Sequence, residues 1–398
     1  MKAITGIMFI AATCIGSGMI ALPIILVKIG IIPSILVMFS MWLIIYYTSL
    51  INLELNLQAG KGMSLGALCD YFSGKKIQLV GTMLLMLLSY SLLCAYISIG
   101  TSVLEEILGA NNLSLLYTIF LMSILYLPGH TVKRVNNCLF IGIIGVIGVL
   151  MVCLSTSINW SNIPLFEKSD LSVWSVLLPV VFTSFGFQVI FHTLTDYYNC
   201  DVVTLKKVFF WGSLIPAIVY IIWTCSVIGA VHTHSQIFYQ KMVVGSIDVS
   251  ALVAQLSLVA KNAFVQKLIM YLSFLAVTTS AIGIGLGLVG SLANNFKEWL
   301  IKRSIQAQIS EKTLRVFTTI FSIVPAQFIV LVIPNAFISI LGFAGMILSL
   351  IAIILPIYLF TLIKKDLHYS ELKHKYLVRL SCMMGITIVI CEILNLLQ

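Results

Sequence analysis

The sequence predicts an all-α integral membrane protein with eleven transmembrane helices. Three observations carry that expectation: the composition, the spacing of the apolar runs, and the sidedness of Lys and Arg. Of 398 residues, 60% are hydrophobic and only 9% are charged, and the mean hydropathy is +1.09. An ordinary soluble domain carries about 25% charge. A water-soluble fold cannot hide this much apolar surface behind so few charges. A soluble enzyme, a disordered chain and a secreted disulfide scaffold are therefore excluded. The formal charge of +9 matters through where the cations fall, and it implies no nucleic-acid partner. The nine cysteines lie mostly inside apolar runs and read as small apolar fillers.

A span needs about 20 apolar residues, more when tilted. Candidates run over 4–29, 31–57, 77–107, 113–128, 135–155, 172–199, 205–231, 264–296, 313–332, 335–363 and 376–397. The first exceeds a signal-peptide core of about 7–15 residues and has no small-x-small cleavage site, so it reads as a retained span. It carries Gly16-Ser17-Gly18 near its middle and Pro23 beyond. Each such glycine weakens a helix by roughly 1 kcal/mol. Spans 3 and 8 are unusually long. Span 6 carries Thr183-Ser184-Phe185-Gly186-Phe187, with Pro179 one turn earlier. Most connections are short. The exception, 232–263, holds an amphipathic piece that starts near Ser246-Ile247-Asp248, capped by Ser246 or Asp248. It is too short and mixed to cross and belongs on the membrane surface.

Orientation follows from the cations. With the N-terminus cytoplasmic, only Lys28, Lys168, Lys241, Lys261 and Lys267 of 23 Lys and Arg fall outside. A miscounted span would scramble this alternation. The N-terminus is expected inside and, with an odd count, the C-terminus outside.

The two interrupted spans are five apart, so they occupy equivalent places in halves of opposite topology. Long spans 3 and 8 match in the same way. This is the layout of a five-plus-five inverted repeat, with broken helices 1 and 6 at the binding site. The whole of 1–398 reads as one transmembrane domain: 1–155 as the first repeat, 172–363 as the second, and 376–397 as an added eleventh helix. Gly283-x-Gly285-x-Gly287 in span 8 reads as helix packing.

Thr13 to Pro23 reads T-C-I-G-S-G-M-I-A-L-P, and Leu178 to Tyr197 reads L-P-V-V-F-T-S-F-G-F-Q-V-I-F-H-T-L-T-D-Y. Together they resemble the hydroxy/aromatic amino acid permeases, in the tyrosine and tryptophan transporter branch of the amino acid–polyamine–organocation superfamily. The resemblance implies a leucine-transporter-like fold of eleven helices. It departs at Gln188, where members usually carry His, and at His192, where they usually carry Pro.

A zwitterionic substrate needs two opposite polar partners in a low-dielectric centre. N–H groups freed near Gly16, Ser17 and Gly18, at the positive end of a half-helix, suit a carboxylate. Carbonyls freed around Thr183, Ser184 and Phe185 suit an ammonium. Thr13 and Gly186 belong to the same two segments. Phe185 and Phe187 are expected to line an apolar slot for a ring, with Gln188 reaching a phenolic hydroxyl or indole N–H. Tyr90, Ser91 and Cys94 lie near the middle of span 3, which faces the site in the resembled fold. Phe337 and Phe343 on span 10 are candidate outer gates. Glu54, Asp196 and Glu392 lie near span ends and read as solvated. Glu105-Glu106 reads the same way.

The expected function is import of an aromatic amino acid, tyrosine first, across a bacterial inner membrane by alternating access. The coupling ion is expected to be a proton, which the resemblance implies. His192 and Asp196 are the candidate relay, because an imidazole titrates near neutral pH. Thr279 and Ser280, with span 1 carbonyls, would instead make an oxygen cage for sodium. Tryptophan, phenylalanine, serine or threonine are the alternative substrates. No cofactor, metal site or obligate protein partner is expected. An intramembrane enzyme lacks any His-Glu-x-x-His or paired mid-membrane carboxylates, and a channel lacks a filter of repeated polar groups.

Overall fold

The computed structural model describes residues 2–60, 62–155, 158, 163–245, 247, 251–252, 254–256, 263–302, 310–333, 337–363 and 375–397. Among the described residues there is helix and no strand. The first span is broken, as the glycines predict: α1 (Lys2–Cys14) and α2 (Ser17–Leu26) bend by 51°. Then follow α3 (Ile31–Ala59), α4 (Leu65–Ser73), α5 (Lys75–Leu108), α6 (Ser114–Tyr126) and α7 (Gly129–Ser155). The second half holds α8 (Leu171–Ser184), α9 (Gln188–Tyr197), α10 (Val202–His234), α11 (Gln236–Val244), α12 (Ala263–Lys302), α13 (Glu311–Val332), α14 (Phe337–Ser349), α15 (Leu355–Thr361) and α16 (Lys375–Leu397).

Nine described helices are long and apolar enough to cross a membrane, and the bent α1–α2 pair makes ten. The expected fourth span, 113–128, is a 13-residue helix, α6. Span 6 is interrupted at Phe185–Phe187 yet continues as one crossing, Leu171–Tyr197. Span 10 contains a feature the sequence did not suggest: a π turn over Leu350–Ile354 joins α14 to α15. Pro356 explains it, because proline has no N–H for the carbonyl one turn back and the ladder widens around the gap. The connection after span 2 holds a surface helix, α4, whose N-cap Ser64 hydroxyl accepts from the Ala67 N–H. α10 runs to His234, and α11 follows it. Ser246 and Asp248, the expected caps of an amphipathic piece, lie outside the described residues.

The packing order puts the two interrupted spans at the centre. α1 packs on α10, α2 on α8 and α10, α5 on α12, and α8 on α14. Of the most apolar stretch of Leu171–Tyr197, 72% is buried, against 22% for α16. α13 and α16 are peripheral and turn Phe321, Phe328, Leu331, Met383 and Ile390 outward, as a surface facing hydrocarbon should.

Two expectations fail on burial. Glu54 and Glu392 are not solvated ends: both are buried. Glu54 lies within α3, which extends to Ala59, and it accepts from the Gln58 amide at 2.7 Å. Glu392 presses its carboxylate against Gly342 of α14 and accepts from Asn395 at 3.2 Å. Asp196 is exposed as expected. The glycine row of α12 divides: Gly285 packs on Leu125, whereas Gly283 has open space before it and Gly287 touches only Val189.

Candidate functional site

The site begins where α1 stops. The Ile15 N–H still bonds Ala11, and the Met19 N–H bonds Gly16. The N–H groups of Ser17 and Gly18, in the first turn of α2, therefore have no acceptor within their own helix. The Ser17 side chain lies outside the described residues. Gly16 and Gly18 are bare for a reason. A Cβ on Gly16 would stand 2.0 Å from Ser280 Oγ, and one on Gly18 would stand 2.6 Å from the Tyr220 oxygen and 2.8 Å from Ser184 Cβ.

The second interruption lies alongside. α8 stops at Ser184, and the Phe185 and Gly186 N–H groups fold back onto the Phe182 and Thr183 carbonyls. Gly186 sits under Leu348 of α14, where a Cβ would meet Cδ2 at 2.5 Å. No charged side chain occurs in 11–26 or 177–191, so backbone dipoles supply the polarity of this centre.

The freed carbonyls are held by side chains from elsewhere. The Tyr220 hydroxyl on α10 faces the Cys14 carbonyl of span 1 and, at 3.2 Å, the Ser184 carbonyl of span 6. Ser280 Oγ donates to Ile15 at 3.4 Å, Cys14 Sγ to Phe185 at 3.6 Å, and Trp223 Nε1 to Met19 at 2.6 Å. Sequence reasoning missed Tyr220 and Trp223, which lie three residues apart on one face of α10. Nothing in the apolar run around them singles them out.

The expected site residues do not all come together. At the breaks Gly16 meets Ser280 and Gly18 meets Ser184, whereas Gly186 packs under Leu348. Thr13 bonds its own helix at Phe9, and Thr183 ties α8 to the Leu341 carbonyl of α14. Phe185 and Phe187 are fully buried and packed on α10, Phe185 edge-on to Tyr220 at 5.5 Å and Phe187 stacked on Phe209 at 5.9 Å. In this state they fill space rather than line a slot. The Tyr90 hydroxyl donates to the Phe321 carbonyl of α13, and Cys94 turns the same way, to Ala326. Ser91 bonds its own helix. Tyr96, further along α5, is buried. Thr279 bonds its own helix at Ala276. Phe337 is buried and Phe343 half-buried on α14.

Gln188 opens α9. Its Oε1 accepts from the Phe187 N–H at 3.1 Å, and its Nε2 is buried without a hydrogen-bond partner among the described residues. Beside it, a void of about 20 Å³ is lined by Asn52, Phe191 and His192. His192 also borders a cavity of about 420 Å³ between α5, α9 and α12, lined by Gln78, Thr82, Ser89, Thr193, Gly283 and Gly287 among others. A further 150 Å³ lies between Phe9, Asn136, Tyr197 and Leu286. The 420 Å³ cavity reaches Ser64 and Gln78 at one end of the bundle. On the opposite side of the breaks α14 and α8 pack tightly. Gly345 of α14 lies so close to α8 that a Cβ would stand 2.1 Å from the Pro179 carbonyl.

Residues 1–397 match the model of the tryptophan/tyrosine permease family. A tyrosine-specific transport system of Haemophilus influenzae is 28% identical over 362 residues, covering 90% of this chain and 87% of the relative. A tryptophan-specific transport protein of the same organism is 26% identical, with 88% and 85% covered. A glutamine transporter of Aliivibrio fischeri is 23% identical over 97% of this chain and 98% of its own. Among solved structures, a manganese transporter of Eremococcus coleocola superposes with a TM-score of 0.61 at 14% identity, covering 98% of this chain and 85% of the other. That likeness concerns the arrangement of helices alone.

Proposed function

The chain belongs to the tryptophan/tyrosine permease family; it is an integral membrane transporter and not an enzyme, and from that premise we propose that it imports an aromatic amino acid, tyrosine first, across a bacterial inner membrane by proton-driven alternating access. One observation carries the substrate reading. The N–H groups of Ser17 and Gly18, which have no acceptor within their own helix, lie near the Cys14 and Ser184 carbonyls that share the Tyr220 hydroxyl, in a buried centre without charged side chains. Such a centre offers donors to a carboxylate and acceptors to an ammonium. The orphan Gln188 amide N–H supports a phenolic hydroxyl as the third contact. The interruptions at equivalent places support the five-plus-five reading, with α6 as the short fourth member of an eleven-helix set.

The proton reading draws on His192, which borders the open cavity one turn from Asp196. A sodium reading has one contact in its favour, Ser280 Oγ at the Ile15 carbonyl; the Thr279 hydroxyl bonds its own helix at Ala276. A relative named as a glutamine transporter keeps non-aromatic substrates within reach of the same frame. Uptake of labelled tyrosine into proteoliposomes, competed by a panel of unlabelled amino acids, is the direct test. Tyrosine accumulation that tryptophan or phenylalanine also blocks supports the aromatic reading; no accumulation of tyrosine, with labelled glutamine or serine accumulated instead, overturns it.

A further inference from the structure

We propose that the Tyr220 hydroxyl is an internal substitute for the substrate's ammonium group: it occupies the break carbonyls while the site is empty and withdraws when an amino acid binds. This rests on the substrate site described above and assigns a role to a residue outside the two interrupted segments.

The first argument is convergence. The Cys14 and Ser184 carbonyls come from different spans, and one phenolic oxygen faces both. A phenol has a single proton, so it can only share it between two acceptors, whereas an ammonium has three donors and a charge. Charge-assisted bonds are roughly twice as strong as neutral ones. The ammonium is thus the better occupant of a position that the phenol only half satisfies.

The second argument is location. The Tyr220 oxygen lies 2.6 Å from the place of a Gly18 Cβ, beside the first-turn N–H groups that suit a carboxylate. The ammonium and carboxylate of an α-amino acid are joined through one carbon, so their sites must adjoin, as these do.

The third argument is necessity. Tyr220 and its surroundings are fully buried, and a buried carbonyl without a partner is costly. An empty transporter has to return through this state in every cycle, and the hydroxyl keeps the carbonyls partnered while it does. Trp223 holds α10 to α2 through the Met19 carbonyl. The phenol can therefore yield without α10 losing its register. Phe185 lies edge-on against the same ring, so movement of the phenol is felt directly at the span 6 interruption.

The test compares the full-length transporter with Tyr220→Phe, measuring binding of L-tyrosine and of its des-amino analogue, 3-(4-hydroxyphenyl)propionate. In the native protein the amine replaces a bond that already exists. In Tyr220→Phe it satisfies carbonyls that nothing else holds. The ratio of the two affinities should therefore rise about tenfold in favour of tyrosine, the usual scale for an unpaired buried polar group. An unchanged ratio makes Tyr220 merely structural and overturns the proposal; a lower one means that the hydroxyl assists the amine and overturns it too. If Tyr220→Phe does not yield folded protein, 3-fluorotyrosine placed at 220 is read by fluorine NMR. Tyrosine should shift its resonance and the des-amino analogue should not; equal responses, or none, overturn the proposal. Failure of the native protein to bind either compound would remove the substrate reading and this proposal with it.

Discussion

Gly16 and Ser280 approach so closely that a Cβ on the glycine would stand 2.0 Å from the serine Oγ and 2.7 Å from its Cβ. The long helix α12 is thereby docked onto the interruption of span 1. Gly16→Ala should abolish tyrosine uptake while leaving the protein inserted, because overpacking of about 1–3 kcal/mol falls on the hinge. Removing the obstacle should return activity, so uptake by Gly16→Ala/Ser280→Gly is expected to exceed that of Gly16→Ala alone. A double variant as inactive as the single one would mean that Gly16 acts through something other than this contact.

Gln188 should discriminate between rings. Replacing it with Leu removes the unpartnered Nε2 and leaves a bound phenolic hydroxyl unpaired, a loss of about 1–3 kcal/mol. Tyrosine uptake should fall by roughly ten- to a hundredfold and phenylalanine uptake by less. Gln188→His should keep transport and reorder the aromatic substrates. Equal losses for tyrosine and phenylalanine in the Leu variant would remove Gln188 from the ring pocket.

For coupling, vesicles with an imposed inward proton gradient and no sodium should accumulate tyrosine. His192→Ala should lose gradient-driven accumulation and retain exchange of internal for external tyrosine. Native uptake that needs sodium would reverse the assignment and bring Ser280 forward as a ligand of the ion.

Gly283, with open space before it, and Gly287, which meets only Val189, border the 420 Å³ cavity. Gly287→Leu should fill part of it and slow release into the vesicle, so net uptake falls while binding of external tyrosine is kept. Gly285→Leu, which meets Leu125 at 2.6 Å, should instead lower stability. If the two variants behave alike, Gly287 serves packing and not passage.

Away from the spans, the buried Tyr239 hydroxyl donates to Glu167 at 2.6 Å, and the Glu167 N–H bonds the Ile29 carbonyl. Burial, then the carboxylate contact, raise the phenol above its usual value. A raised phenol contributes its stability in full below the unfolded value of about 10 and loses it as pH rises through the folded one. Thermal unfolding in detergent should therefore show no pH dependence arising from this pair between roughly pH 6 and 9. Tyr239→Phe should cost about 1.5–3 kcal/mol across that window. A cost that vanishes at the acid end of the window would contradict it.

The sequence makes the spans legible because run length alone decides whether a helix can cross, and the breaks legible because Gly16, Gly18 and Gly186 interrupt runs with few other polar residues. Which way a helix faces is another matter. In a span that is apolar all round, no hydrophobic stripe marks the buried side. Tyr90 therefore looked central by position, yet it faces α13, while Tyr220 on α10 proved central. Glu54 and Glu392 were misread for the same reason, since distance from a helix end does not reveal whether a neighbouring helix covers the side chain. Gly283 and Gly287 look like a packing motif until the cavity before them is seen.

The 13 residues of α6 rise only about 20 Å, against a hydrocarbon core of about 30 Å. Its outer face nevertheless carries Leu115, Leu116, Ile119 and Phe120, so acyl chains rather than water must cover it. The bilayer is consequently expected to pinch in along this one side, at a cost of a fraction of a kcal/mol per Å of mismatch. That makes the transporter's surroundings lopsided. Thin membranes should suit the α6 flank, and thick ones should favour tilting there or shelter of that flank against another protein. Transport rate in vesicles of graded acyl-chain length is thus expected to peak at short chains, with lipid thickness acting as a setting on the machine.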